Sequence, residues 1–246
     1  MRARQRHINP GNAGASAAYD SRFGFSVADG TAISTWKDRT SNNNNASQAT
    51  AANQPTYETN EVNGQPAIKF DGSNDLMTFA RFDATAAWTM AVVYRTTGSA
   101  TYQGVIVVRQ SSTNFDRMTL LINNNTDYGP LLIGSNINGT NCGKGGGVRE
   151  GVWRIVFAEW VGGGTNGSTF YRAYDDGSEI TLSNTSVGAI NANLDSVIGA
   201  STSTSAYNNF WNGFMASVAF GFAMPSAALR KRLTHASGYS FKIACS

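Results

Sequence analysis

The sequence predicts an all-β protein, a two-sheet antiparallel sandwich followed by one short C-terminal helix. Apolar and polar residues alternate with a period of two along many short segments, which is the pattern of half-buried strands. Asn, Gly and Ser cluster between these segments, as they do in turns. The chain has 246 residues, a length that one large β-sandwich commonly has.

Composition supports this class and limits the partners. Hydrophobic residues make up 41% and charged residues 14% of the chain, so its solubility depends largely on neutral Asn, Ser, Thr and Gly, as in β-rich surface proteins. The formal net charge is +3, and basic residues do not interleave with aromatic residues on any predicted face. We therefore expect no nucleic-acid partner.

Residues 1–16 are predicted to form a basic and polar N-terminal arm, and residues 17–246 a single domain. The arm carries Arg2, Arg4 and Arg6. One interpretation is a solvated terminus, and the other is an arm that binds an acidic surface on a neighbouring subunit. No apolar stretch of about 7–15 residues follows these charges, so we expect no signal peptide. No run of about 18 apolar residues occurs either, so we expect no membrane insertion.

The elements near the N-terminus are short. Residues 17–20 and 23–27 predict a first strand, with a turn at residues 28–30. Trp36 lies on a further short strand, and the Asn-rich run 42–45 predicts a surface loop.

Residues 63–95 give the clearest alternation. Ile68 and Phe70 alternate with polar neighbours, Asp71 and Gly72 form a turn, and a second strand carries four large apolar side chains on one face: Trp88, Met90, Val92 and Tyr94.

Further strands are predicted at regular spacing along the middle of the chain, which favours a sandwich or jelly roll. They cover residues 104–109, 117–122, 130–133, 152–161, 169–174, 179–182 and 196–198. In a last strand at 214–222, every second residue from Phe214 onward is predicted to face the core. Met224, Pro225 and Ser226 end that strand, and a helix follows at about 227–236 with Leu229 and Leu233 on one face.

Two motifs carry a resemblance to a known family. Together with Trp36-Lys37-Asp38, the turn Phe70-Asp71-Gly72-Ser73-Asn74-Asp75 resembles the laminin-G-like branch of the concanavalin A-like jelly rolls, in the form met in bacterial and bacteriophage proteins. The resemblance extends from about residue 17 to 243, because the last strand and helix are similar to that family's ending. It implies a jelly-roll fold and a surface protein. It also implies a loop at one sandwich edge that can bind calcium.

Catalytic patterns are absent from the sequence. A glycosidase needs two carboxylates that can flank one bond, but Glu159 stands alone on its strand and Glu179 follows a turn. The two histidines, His7 and His235, lie in the arm and the predicted helix, away from any nucleophile signature. The glycine-rich run 162–167 precedes alternating β sequence and predicts a hairpin, because a phosphate loop would precede a helix. We expect no enzyme activity.

The turn after Phe70 is a candidate metal site. Asp71, Asn74 and Asp75 supply hard oxygen atoms within one turn, and calcium requires such ligands. Asp and Asn are also abundant in turns for conformational reasons alone. We expect no other cofactor, and calcium remains an open alternative.

Two Asn-rich loops are candidate sugar-binding sites, because such sites combine an aromatic platform with amide groups that match hydroxyls. The candidate residues are Asn138 and Asn141 in the loop 136–147, and Tyr207, Asn208, Asn209 and Trp211. Trp211 has an alternative interpretation, since it can instead begin the buried last strand.

We conclude from the sequence that the chain is a non-enzymatic virion surface protein, either a capsid decoration or a tail-attached appendage of a bacteriophage. Its jelly roll is expected to bind neighbouring virion proteins, through the arm, and to bind host-surface glycans. It is expected to be a homo-oligomer or part of a larger assembly, made in the host cytoplasm without a signal peptide. A stand-alone lectin module is the alternative, and a divergent glycan-cleaving enzyme is the least favoured.

Overall fold

The structure is a computed structural model. It describes residues 14–80, 88–97, 102–108, 118–123, 131–134, 141–144, 151–160, 171–175, 178–180, 196–203 and 206–222. These ranges contain one 3₁₀ turn at Ala51–Asn53 and the following strands: β1 Ala17–Asp20, β2 Thr31–Ala32, β3 Thr35–Trp36, β4 Ala46–Ser47, β5 Thr56–Val62, β6 Gln65–Asp71, β7 Met77–Phe79, β8 Trp88–Thr96, β9 Tyr102–Val108, β10 Met118–Asn123, β11 Leu131–Gly134, β12 Asn141–Lys144, β13 Arg154–Trp160, β14 Tyr171–Asp175, β15 Ser178–Ile180, β16 Ser196–Ile198, β17 Ser201–Ser203, β18 Ala206–Asn208 and β19 Asn212–Phe222.

The strands form two large antiparallel sheets, which confirms the predicted fold class. Within the described ranges, one sheet has the order β15-β14-β13-β8-β19-β6-β5-β2, and the other has the order β12-β11-β10-β9-β16-β7-β4-β3. Strand β1 pairs with β19 beside β6, and β17 and β18 form a small separate hairpin. Because β1 and β19 are paired, both ends of the described chain belong to one sheet.

The main core lies between the two sheets and contains the apolar residues that alternate along residues 63–95. Ile68 and Phe70 are fully buried, as are Met90 and Val92, and Lys69 between the first two is exposed. Val105 and Ile198 from the other sheet pack into the same cluster. Burial of large apolar side chains from both sheets stabilises a sandwich of this kind.

Most predicted strands agree with the structure within one or two residues. The predicted strand 17–20 coincides with β1 and 196–198 with β16, while the middle segments correspond to β9, β10, β11, β13, β14 and β15. Turn chemistry marked these boundaries, because Gly and Asn adopt the positive φ angles that strand ends need. Gly72 after β6 has a φ of 77°.

The segment 23–27 is not a strand, contrary to the prediction. Gly24 has a φ of 81°, which is incompatible with an extended chain. The Asp20 carboxylate also accepts the backbone N–H of Arg22 at 2.9 Å and so fixes a turn directly after β1. Local hydrogen bonding therefore overrides the apolar alternation of this segment.

The last strand is buried as predicted, but on both faces of its sheet. Met215, Val218 and Phe220 belong to the core between the sheets, whereas Phe214 and Ala216 belong to a second cluster. The register between β19 and β8 shifts between Met215 and Ser217. This β-bulge inserts one residue, so a single period of two does not hold along the strand.

The second cluster covers the outer face of the larger sheet. It contains Val93, Ile155 and Phe157, whose strand neighbours point into the main core. At its margin the Arg95 guanidinium lies 4.3 Å from the Phe214 ring centre and 5.4 Å from that of Trp153. The cation thus covers part of this apolar face.

Two predicted segments lie largely or wholly outside the described residues: residues 1–13 of the arm, with Arg2, Arg4 and Arg6, and the helix at 227–236 with Leu229 and Leu233. The division into an arm and a domain stays a prediction. Among the described residues, no helix is long and apolar enough to cross a membrane.

A seam at β1 joins the two sheets. The Tyr19 ring is fully buried and lies 5.6 Å from Trp36, 6.1 Å from Phe79 and 6.0 Å from Phe220, measured between ring centres. Its hydroxyl donates to the Asn44 carbonyl at 2.6 Å. Burial, and then the nearby Asp38 charge, raise the pKa of this phenol, so it remains a hydrogen-bond donor.

Asp38 fixes the Asn-rich loop against this seam. Its carboxylate, 6% exposed, accepts the backbone N–H groups of Ala18 and Thr40 at 2.9 Å each and of Asn44 at 3.0 Å, together with the Thr40 hydroxyl at 2.5 Å. A carboxylate is an acceptor at both oxygens, so one side chain can satisfy all four donors.

Replacing Asp38 by Asn should therefore destabilise the fold. The amide nitrogen cannot accept the bonds from Asn44 and the Thr40 hydroxyl, and buried donors left without partners are costly. We expect Asp38→Asn to lower the free energy of unfolding by about 2 kcal/mol, measured by urea denaturation. Asp29→Asn is the control, because among the described residues that exposed carboxylate bonds Thr59 alone, at Oδ1, which Asn retains. An equal loss in both variants would contradict this role for Asp38.

Candidate functional site

One end of the sandwich gathers most of the polar residues that the sequence indicated. This end, called the Asn212 end, consists of residues 71–75, 96–97, 103–104, 199–203 and 206–212. Asn212 is opposite Asp71 across β6 and β19. The Asn212 backbone N–H donates to the Gln103 side-chain oxygen at 2.9 Å, and its carbonyl accepts the Thr97 N–H at 3.0 Å. The candidate metal turn and the candidate sugar loop are thus adjacent in space.

Glycines allow these segments to approach one another closely. A Cβ atom on Gly72 would lie 2.7 Å from Asn212 Cβ, and one on Gly199 would lie 2.4 Å from the Phe70 ring. Both glycines also have positive φ angles. The contact between the two loops therefore requires glycine at both positions.

The hairpin β17–β18 projects beside this contact. The Ser201 hydroxyl donates to the Asn208 side-chain oxygen at 2.8 Å and accepts from the Asn209 side-chain amide at 2.9 Å. Asn209 has a φ of 48°, a conformation that Asn tolerates better than most residues. Its carbonyl accepts the Gly104 N–H at 2.6 Å, which attaches the hairpin to β9.

The structure separates the four predicted residues of this loop into surface and core. Tyr207 is 37% exposed, Asn209 is exposed and Asn208 is half-buried. Trp211 is fully buried and meets the Tyr94 ring edge-on, with 5.4 Å between ring centres. Neither face of the Trp211 ring is therefore available to a sugar. The alternative interpretation, in which Trp211 is a core residue, is correct.

The second candidate loop is only partly described. Asn138 lies outside the described residues, and Asn141 begins β12, which pairs with β11 along the edge of the smaller sheet. The expectation of a continuous loop over 136–147 is therefore corrected for residues 141–144. Pairing with β11 outweighs the weak strand preference of this Gly- and Asn-containing segment.

Sequence reasoning missed three polar residues of the site: Thr97, Gln103 and Ser201. Gln103 is 1% exposed and bonds the chain at Asn212, while the Thr97 hydroxyl donates to the Asn212 side-chain oxygen at 3.0 Å. Gln103 and Thr97 lie 109 and 115 residues from Asn212 in sequence, so no local pattern could have indicated them. Ser201 bonds Asn208 and Asn209 within its own hairpin, and sequence reasoning did not predict that hairpin.

The metal candidates Asp71 and Asp75 are tied into their own turn. Asp71 Oδ1 accepts the backbone N–H groups of Ser73, Asn74 and Asp75 at 2.8, 3.1 and 3.2 Å. In return, Asp75 Oδ2 accepts the Asp71 N–H at 2.9 Å. This is the conformational role that turn-forming Asp residues commonly have.

The two carboxyls have opposite electrostatic environments. Burial followed by the neighbouring Asp71 charge raises the pKa of Asp75 to about 6. Burial also opposes ionisation of Asp71, but its backbone N–H donors together outweigh burial and hold the pKa of that carboxyl below its usual value. One carboxyl is therefore ionised at neutral pH and the other is close to its titration point.

Calcium in this turn stays a prediction. The turn's remaining oxygen donors are Asp71 Oδ2, Asp75 Oδ1 and the Asn74 side chain, which are of the type calcium requires. In the described part of the chain, no three His, Cys, Asp or Glu residues form a group that could hold a metal ion. Isothermal titration with calcium would decide the question.

Comparison with known proteins shows the fold and does not show the family. No protein-family model matches the sequence, and no curated protein matches it. Among solved structures, a sialidase of Trypanosoma rangeli in complex with sialic acid is similar over 92% of this chain and 33% of its own, with a TM-score of 0.63 and 12% identity. The chain thus spans about a third of the length of the sialidase.

Two smaller neighbours complete the comparison. Domain 4 of AbnA, an extracellular arabinanase of Geobacillus stearothermophilus in complex with arabinotriose, matches 89% of this chain and 98% of its own at 11% identity and a TM-score of 0.56. The receptor binding domain of botulinum neurotoxin type G matches 91% and 51% at 10% identity and a TM-score of 0.56. The TM-scores support a shared β-sandwich. At identities this low the similarity does not extend to function, which has to be argued from the site.

The raised pKa of Asp75 predicts a pH-dependent stability. Because this pKa in the folded chain exceeds that of the unfolded chain, the group contributes stability fully below about pH 4, and the contribution is lost as the pH rises through about 6. We expect Asp75→Asn to gain stability relative to the wild type between pH 4 and 7, on the order of 1 kcal/mol after screening by solvent. Urea denaturation across this range measures the difference.

Asp71→Asn provides the matched control for this experiment. Its pKa is lowered in the folded chain, so its stabilising contribution is present at neutral pH and is lost as the pH falls. The two variants should therefore diverge from the wild type in opposite directions as the pH rises. Parallel pH profiles would contradict the assigned environments.

Proposed function

We propose that the protein is a non-enzymatic carbohydrate-binding β-sandwich and that the Asn212 end binds a neutral oligosaccharide. The observation that carries the proposal is the hairpin β17–β18. It presents the exposed side chains of Tyr207 and Asn209, and the buried Ser201 hydroxyl holds the amides of Asn208 and Asn209 in place. An aromatic face binds the apolar side of a sugar, and amides and hydroxyls match its hydroxyl groups.

The geometry suits binding because the polar groups are held before a ligand arrives. Ser201 connects both Asn side chains, and the backbone bond from Gly104 to Asn209 anchors the end of the hairpin. A preorganised site loses less conformational entropy when it binds. The neighbours support the same class, since one was solved with arabinotriose and another is a receptor binding domain.

The absence of catalysis is part of the proposal. The two carboxylates at this end, Asp71 and Asp75, bond the backbone of their own turn, whereas a glycosidase aims a pair at one glycosidic bond. The similar sialidase is an enzyme, but this chain spans only about a third of it. We therefore propose that the chain binds glycans without cleaving them.

We also propose a more specific setting for this glycan binding, which is attachment of the protein to a bacteriophage virion. It rests on the resemblance of the 36–38 and 70–75 motifs and on the basic arm with Arg2, Arg4 and Arg6. In this setting the arm would bind a neighbouring virion subunit, while the Asn212 end would remain available for host-surface glycans. Removal of residues 1–14 would then abolish attachment to particles and leave glycan binding unchanged.

Tyr207→Ala tests the proposed site. Loss of the exposed ring should weaken binding of a neutral oligosaccharide about tenfold, as measured by titration of purified protein with arabinotriose and with ligands selected on a glycan array. Val152→Ala is the control, because Val152 is also an exposed apolar side chain, at 47%, outside the Asn212 end. Unchanged binding in folded Tyr207→Ala would contradict the site.

Catalysis has its own test on the same ligands. We expect intact oligosaccharide after prolonged incubation with the wild type, as followed by mass spectrometry. Release of shorter sugars by the wild type and not by Asp75→Asn would contradict the non-enzymatic proposal and would indicate a carboxylate at the Asn212 end as the catalytic group.

A further inference from the structure

A second surface, separate from the Asn212 end, has the composition of an anion-binding site. This surface, called the Phe23 patch, consists of Arg22, Phe23, Lys37 and Arg39. It lies next to the C-terminal end of β1. The last residue of that strand, Asp20, is opposite Ser217 of β19. Five residues of strand separate Ser217 from Asn212, or about 16 Å. The two surfaces are therefore distinct.

A buried carboxylate holds the arginines in place. Asp20 is 4% exposed, and its Oδ2 accepts from Arg22 Nη2 and from Arg39 Nη1 at 2.6 Å each. Its Oδ1 also accepts from Arg22 Nε at 2.9 Å. One negative charge thus orients two positive charges, so the cluster keeps a net positive charge at the surface.

The Arg39 side chain is held in place by Asp20, and its guanidinium keeps N–H groups that can bind a ligand. Its guanidinium lies 5.3 Å from the centre of the Phe23 ring, and within the described chain only its Nη1 makes a side-chain hydrogen bond. The side chain remains 27% exposed. Ordering a long cation normally costs entropy on binding, and here Asp20 and Phe23 have already ordered it.

Lys37 extends the positive surface beside the ring. A Cβ atom on Gly24 would lie 2.8 Å from Lys37 Cδ, so the lysine stem crosses the backbone next to Phe23. The residue is exposed, and no described residue pairs with its ammonium group. The Phe23 ring thus has the Arg39 guanidinium over it and the lysine stem beside the next residue of the chain.

We infer that the Phe23 patch binds a sugar that carries a carboxylate. A guanidinium matches a carboxylate with two parallel donors, and the 42% exposed Phe23 ring offers an apolar surface to the sugar ring. Charge alone would also suit an acidic peptide. The exposed ring beside the oriented guanidinium favours a ligand that is cyclic as well as anionic.

Titration of the whole chain with trigalacturonate tests this inference. We expect salt-sensitive binding that falls at least tenfold with the methyl-esterified trimer, because esterification removes the charges. Phe23→Ala should weaken binding about fivefold, and Lys37→Ala about threefold. Arg39→Lys, which keeps the charge but loses the fork, should weaken it about tenfold.

Matched variants separate the outcomes. Lys69→Ala removes an exposed lysine outside the Phe23 patch and should leave uronate binding unchanged. Absence of uronate binding, or an equal loss in Lys37→Ala and Lys69→Ala, would overturn the inference. Equal affinity for an oligoglutamate peptide, with no effect of Phe23→Ala, would also overturn it and indicate an acidic protein partner.

Discussion

The seam around Tyr19 and Asp38 is the constraint on which the rest of the sandwich depends. Two sheets can pack face to face only where the chain passes between them without leaving polar backbone groups unsatisfied. Here β1 belongs to the larger sheet, while Tyr19 also makes an isolated bridge to Asp38 beside the smaller one. The Asp38 carboxylate satisfies the backbone N–H groups of Ala18 and Asn44 at this crossing.

The central strand β19 connects this seam to both surfaces that we propose bind ligands. It pairs with β8 along one side and with β6 and β1 along the other. Its first residue, Asn212, is held by Thr97 and Gln103, and its middle is opposite the strand that ends at Asp20. Loops anchored to one rigid strand keep fixed geometry, which binding sites require.

The two surfaces differ in chemistry. At the Asn212 end the groups presented are the Tyr207 phenol ring and the amides of Asn208 and Asn209, which suit neutral hydroxyl groups. At the Phe23 patch a buried Asp20 orients two guanidinium groups beside an exposed ring, which suits an anionic sugar. In both places hydrogen bonds within the protein fix the side chains, so binding would require little reordering.

The sequence by itself determined the fold class and most strand positions, because period-two alternation and turn residues act locally. It also indicated the Asp71 turn and the Tyr207 loop through residue types that suit turns and sugars. Only the tertiary structure decided that these segments meet at Asn212, that Trp211 is buried, and that Gln103 and Ser201 belong to the site. It also revealed the bulge near Ser217 and the Phe23 patch. These features depend on strand register, close approach at glycine and shared hydrogen bonds, which leave no periodic signal along the chain.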